Sequence, residues 1–122
     1  MPTAVRAIRG ATTVDGDTPA QIGERTVALL EAMFERNGIA HDDLISIWFT
    51  VTEDLASAFP ATGARTIGLG DVPLLCAREI PVPGSMARCI RVLAHLHTDR
   101  ARNELHHVYL EGAVSLRDDL PG

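Results

Sequence analysis

Ala4-Val5-Arg6-Ala7-Ile8-Arg9-Gly10-Ala11-Thr12 reads as a β-strand, and the next segment reads as a capped helix. Side chains alternate across a strand, so Val5, Ala7, Arg9 and Ala11 share one face, and Ala4, Arg6, Ile8 and Gly10 the other. Asp15 to Thr18 is a turn. Thr18 is a good N-cap, Pro19 suits the first helical position, where a missing N–H is no loss, and Gln21 completes a capping-box pattern. The helix runs to about Asn37, and Gly38 is a natural stop. Ile22, Thr26, Leu29, Leu30 and Met33 form its core stripe, while Glu24, Glu31 and Glu35 face water.

Outward from this unit, Leu44 to Thr52 is a second strand. Ile45, Ile47, Phe49 and Val51 alternate there with Ser46, Trp48 and Thr50. Phe59-Pro60-Ala61 opens a short helical turn, and Gly63, Gly68 and Gly70 keep the surrounding region loop-like. Val72 to Cys76 is a short strand running on toward Ile80, broken by Pro81, Pro83 and Gly84. Ser85 can cap a second helix reaching about His97. Met86, Cys89, Ile90, Leu93 and His97 follow helical spacing on one side of it, and Arg88, Arg91 and His95 fall on another. Asp99 to Asn103 is a polar loop, and His106 to Val114 is the last strand. This order predicts an α+β fold, a mixed β-sheet with helices packed on one face. A small sheet covered on one side needs cover on the other, which favours an oligomer.

The 122 residues fit a single domain spanning 1–122. Apolar residues make up 46% and charged residues 22%, which excludes wholesale disorder. No apolar run has the length of a membrane span, and the N-terminus has no basic stretch followed by an apolar core, so the expected location is cytoplasmic, with no membrane partner. A net charge of −5 argues against nucleic-acid binding. Cys76 and Cys89 are expected to be reduced thiols. All eleven basic residues are arginine, which stays charged when buried and binds carboxylates through two parallel hydrogen bonds.

Four polar residues stand in or beside apolar segments: Arg9, Glu79, Arg91 and Tyr109. None is suited to abstracting a proton from carbon or attacking an ester. Two fixed cations, a carboxylate and a phenol fit a pocket for a small anion and chemistry that runs on electrostatics. Each has a plainer reading as well. Arg9 is then a strand-end cation reaching solvent, Arg91 part of a solvated helix face, Glu79 a surface carboxylate paired with Arg78, and Tyr109 a core aromatic. No metal site is expected, because His95 and His97 two apart on a helix point to different faces. No phosphate loop, Cys-x-x-Cys or nucleophile elbow is present, so no cofactor is expected.

Taken in order, the segments resemble the trimeric, Bacillus-type chorismate mutase family. The resemblance is carried by Arg6-Ala7-Ile8-Arg9-Gly10-Ala11-Thr12-Thr13-Val14, then Asp54-Leu55, Phe59-Pro60-Ala61 and Arg65. It continues through Val72-Pro73, Cys76, Glu79, Cys89-Ile90-Arg91-Val92, His107-Val108-Tyr109-Leu110-Glu111 and Leu116-Arg117-Asp118-Asp119-Leu120. It implies a homotrimer with a pseudo-α/β-barrel centre, sites at subunit interfaces, and rearrangement of chorismate to prephenate in phenylalanine and tyrosine biosynthesis. In that reading Arg91 donates to the breaking ether oxygen, Arg9 and Tyr109 hold the enolpyruvyl carboxylate, and Glu79 and the backbone of Cys76 meet the ring hydroxyl. Phe59 and Arg65 come from the adjacent subunit, and Leu116 and Arg117 cover the mouth. Many members carry a lysine three residues after the loop phenylalanine. Here Thr62 stands there, which implies one fewer cation for the ring carboxylate and a larger share for Arg65. Three rivals remain at this point: an enamine/imine deaminase-like trimer, a non-catalytic trimer binding an anionic metabolite, and a purely structural oligomer, which would not require Arg9 on its small-residue face.

Overall fold

The computed structural model describes residues 3–119, with side chains as far as Leu116. Five strands form one mixed sheet in the order β3-β2-β4-β1-β5. They are β1 (Ala4–Thr13), β2 (Leu44–Val51), β3 (Leu74–Arg78), β4 (Cys89–Thr98) and β5 (Val108–Tyr109). Strand β4 is central and runs antiparallel to both β1 and β2, while β3 and β5 pair parallel to β2 and β1 at the two edges. Helices α1 (Pro19–Asn37) and α2 (Pro60–Thr66) lie together against one face.

The first unit folds as its sequence dictates. Thr18 is extended, and its Oγ1 accepts from Gln21 N at 3.2 Å. The Gln21 side chain reaches past the cap to accept from Asp15 N at 2.7 Å and Gly16 N at 3.2 Å, so it organises the turn as well. Gly38 ends α1 at φ 61°, in the left-handed region that favours glycine. All five residues expected in the α1 core stripe are buried. Leu29, Leu30 and Met33 pack on Ile8, Ile47, Phe49, Val92, Ala94 and Leu96, which project from β1, β2 and β4 toward the helices, while Ile22 packs with Val14, Leu55 and Ile90. Gly10 permits this approach, since a Cβ there would stand 2.5 Å from Met33 Sδ.

Two expectations fail. The segment 85–97 is not a helix but is mostly β4. Its apolar residues satisfy a helical stripe, yet Ile90, Val92, Ala94 and Leu96 are buried at every second position. The alternation prevails because β4 pairs on both sides. Local geometry agrees. Ser85 Oγ donates back to the Val82 carbonyl at 2.6 Å rather than capping forward, and Arg88 has φ 49°, which no helix continues through. The last strand is also shorter than 106–114. Only Val108–Tyr109 pairs with β1, and the chain then turns into 3₁₀ geometry over Glu111–Asp119.

Asn37 ties the loop before β5 to the end of α1. Its Nδ2 donates to the carbonyls of Met33 at 2.8 Å and His106 at 2.9 Å, and its Oδ1 accepts from His106 N at 2.7 Å. The residue is 2% exposed, so truncation strands these groups away from water. Asn37→Ala is therefore expected to destabilise the fold by about 2–3 kcal/mol, seen as a lower urea midpoint at unchanged slope. A midpoint equal to that of the unaltered chain would refute this.

Candidate active site

Strand register assembles the site on the face away from the helices. Ala11 pairs with Tyr109 on one side and Arg91 on the other. Arg91 pairs with Thr50, and Thr50 with Ala77. Tyr109, Ala11, Arg91, Thr50 and Ala77 thus form one row across all five strands. In the next row Arg9 pairs with Leu93, Leu93 with Trp48, and Trp48 with Leu75. Arg9 therefore lies diagonal to both Arg91 and Tyr109, with small Ala11 between them.

A cavity of about 540 Å³ opens over these rows. Arg9, Arg91, Tyr109 and Leu116 all line it, together with Trp48, Thr50 and Leu93. Two of its lining residues carry buried donors, Arg91 Nε and Tyr109 OH, that have no hydrogen-bond partner among the described residues. Buried polar groups are almost always paired, so donors left free at a cavity wall mark a place for acceptors. Among the described residues Glu79 is the nearest counter-charge, with Oε1 at 3.7 Å from Arg91 Nε, close enough for attraction but beyond a hydrogen bond. Its Oε2 accepts from the Thr50 hydroxyl.

Neighbouring groups hold these side chains in place. Arg9 N donates to His107 Nδ1 at 2.9 Å. Burial, with smaller contributions from Arg9 and His106, pushes His107 below its ordinary value, so it is neutral near pH 7 and keeps that nitrogen as an acceptor. Asp54 accepts from Arg88 N at 3.0 Å and from the Thr52 hydroxyl at 2.5 Å, and Thr52 Oγ1 accepts from Cys89 N at 3.0 Å. That chain of contacts fixes the entry to β4 two residues before Arg91. Arg25 on α1 donates to the Thr13 carbonyl at 2.5 Å and pairs with Asp15 at 3.0 Å. It also reaches Glu111 at 3.7 Å, at the start of the segment that brings Leu116 to the cavity.

The other sequence candidates lie elsewhere on the chain. Phe59, Thr62 and Cys76 line a second cavity of about 410 Å³. Cys76 pairs with Phe49 and so projects to the helix side of the sheet. Arg65 is exposed in the last turn of α2 and lines neither cavity. Arg117 falls outside the described side chains. Both cysteines are free, and burial pushes the Cys89 thiol up, which makes it a poor nucleophile. Because residues 89–98 are a strand, His95 and His97 share the open face rather than pointing apart. Among the described residues no group of three His, Cys, Asp or Glu is placed to hold a metal ion.

A family model described as chorismate mutase type I matches residues 5–120. The chain belongs to that family. The chorismate mutase AroH of Thermus thermophilus is 57% identical over 117 residues, covering 95% of this chain and 96% of that one. The chorismate mutase AroH of Bacillus subtilis (strain 168) is 41% identical over 117 residues, covering 95% and 92%. A solved chorismate mutase from Clostridium thermocellum superposes with a TM-score of 0.89 at 51% identity, covering 90% of this chain and 98% of that one. Membership carries the activity with it, so the chain is a chorismate mutase, an isomerase. Neither the deaminase-like trimer nor the non-catalytic binder finds support in these likenesses. Sequence reading does not single out Trp48, Thr50 and Leu93 as parts of the cavity. The alternation of β2 is the available signal for the first two, since it sets Trp48 and Thr50 on the face opposite Phe49.

Proposed function

We propose that this chain rearranges chorismate to prephenate in the cavity over the Tyr109–Ala11–Arg91 row, by charge and shape alone. The reaction is intramolecular. The ether C–O bond breaks as a C–C bond forms, with no proton transfer and no covalent intermediate. Negative charge grows on the ether oxygen while the ring becomes partly positive. Arg91 donates to that oxygen, and Arg9 and Tyr109 hold the enolpyruvyl carboxylate in the compact, chair-like conformer. Glu79 accepts from the ring hydroxyl near the developing positive charge, and the Cys76 backbone adds a second contact. The observation that carries this reading is the pair of unpaired buried donors, Arg91 Nε and Tyr109 OH, converging on a cavity that Arg9 also lines. An anion with several carboxylate and ether oxygens is the ligand that answers such donors.

The active form is a homotrimer with a pseudo-α/β-barrel centre. Its support is the open sheet face, where Val5 is 58%, Trp48 45%, Leu75 50% and Leu93 36% exposed. Large apolar side chains left this bare on contiguous strands call for cover. Phe59, Thr62 and Arg65 sit away from the first cavity and complete the site of an adjacent subunit, with Phe59 as its apolar wall. Leu116 closes the mouth. No helix among the described residues is long and apolar enough to cross a membrane, and the two unbridged thiols suit a reducing cytoplasm.

The direct test mixes the purified protein with chorismate and follows loss of its ultraviolet absorbance, with prephenate identified as product. Turnover far above the uncatalysed rate is the expected result. A folded protein that leaves chorismate at the uncatalysed rate would sink the proposal.

A further inference from the structure

We propose that Thr50 is a positioning residue for this reaction. Its hydroxyl sets the Glu79 carboxylate and keeps it from closing on Arg91. The inference rests on the proposed role of Glu79 at the ring hydroxyl. Glu79 follows the last residue of β3, and its backbone N donates to the Val51 carbonyl at 2.8 Å, which fixes the Cα but not the side chain. That side chain is long and 28% exposed. It touches two groups at the site: the Thr50 hydroxyl on Oε2, and Arg91 Nε at 3.7 Å from Oε1.

Thr50 is suited to the task by place and by type. It lies in the site row between Arg91 and Ala77, and it lines the cavity. A β-branched residue in a strand has few χ1 choices, so its hydroxyl is a fixed post rather than a mobile one. A hydroxyl donating to a carboxylate makes a charge-assisted bond, stronger than a neutral one. Without that bond the carboxylate is free to swing onto the guanidinium. Carboxylate and guanidinium match each other in a two-pronged pair. Such a pair would occupy Arg91 Nε, the donor that must remain available to the ether oxygen. Thr50 thus serves two groups at once: it orients Glu79, and it leaves Arg91 free.

The test is a double-mutant cycle on the full-length protein, with kcat and KM measured separately for each variant. Thr50→Val keeps the shape and removes the hydroxyl, and it should lower kcat about tenfold while KM changes less, because the loss is of alignment rather than of carboxylate binding. Thr50→Ser restores the hydroxyl and should recover most of the turnover. In a Glu79→Gln background, Thr50→Val should have little further effect, since the charge it positions is gone. Thermal melts of every variant check that each is folded. An equal loss from Thr50→Val in both backgrounds overturns the inference and leaves the Glu79 role standing. So does a Thr50→Ser variant as impaired as Thr50→Val, or a Thr50→Val variant with full turnover. A Glu79→Gln variant with full turnover overturns the Glu79 role itself, and this inference falls with it.

Discussion

Arg91→Ala is expected to lower kcat by about 10²–10³-fold, the typical loss on removing one preorganised donor to a developing oxyanion. The fold should survive. The Arg91 side chain is 43% exposed, and among the described residues its close counter-charge is Glu79 at 3.7 Å, so little stability depends on it. Arg91→Lys is the sharper comparison. It keeps a positive charge but replaces the planar fork by a point charge on a flexible stem, and much of the loss should remain. Chorismate turnover by absorbance, beside a thermal melt, reads both. A normal rate in Arg91→Ala would remove the ether-oxygen contact from the mechanism and leave the site as an anion clamp.

The second large effect concerns Arg65, which lines neither cavity of its own chain. Arg65→Ala alone should depress activity strongly, because the proposed site of the neighbouring subunit loses a cation for the substrate's carboxylates. Mixing Arg65→Ala with Arg91→Ala chains, unfolded and refolded together, should then regain activity. In a random mixture about a quarter of interfaces join an intact Arg91 to an intact Arg65 from the next subunit. No such recovery is possible if both arginines act within one chain. A mixture no more active than its separate components would place the whole site inside a single subunit and remove the interface from the proposal.

Much of this fold is legible in the sequence, and the failures have a common physical origin. The β1–α1 unit is specified by local chemistry: alternation in 4–12, a Thr-Pro cap with Gln21, and a terminal Gly38. The segment around Arg91 has no such local signal. Cys89 to Thr98 is apolar enough to match both a helical stripe and a strand, and what decides between them is the pairing of β4 with β1 and β2, which no local window contains. Arg91 and Tyr109 stand out as residues but cannot be placed from the sequence, since their adjacency depends on Ala11 pairing with both. Trp48 and Thr50 escape notice for a related reason. They look like the polar-side residues of an amphipathic strand, and only the full sheet shows that side to be the floor of a cavity.

Tyr109, Ala11, Arg91, Thr50 and Ala77 each come from a different strand of the five. A site drawn across a sheet in this way has no local fragment that retains part of it. Detaching an edge strand removes Tyr109 from one end or the Ala77–Glu79 support from the other, and opening the centre separates Arg91 from everything it works with. Catalysis is therefore a cooperative property of the whole domain. In rising denaturant, turnover should be gone by the global unfolding transition, lost with the proposed trimer or with the fold, and no partly folded form should show a reduced but real rate.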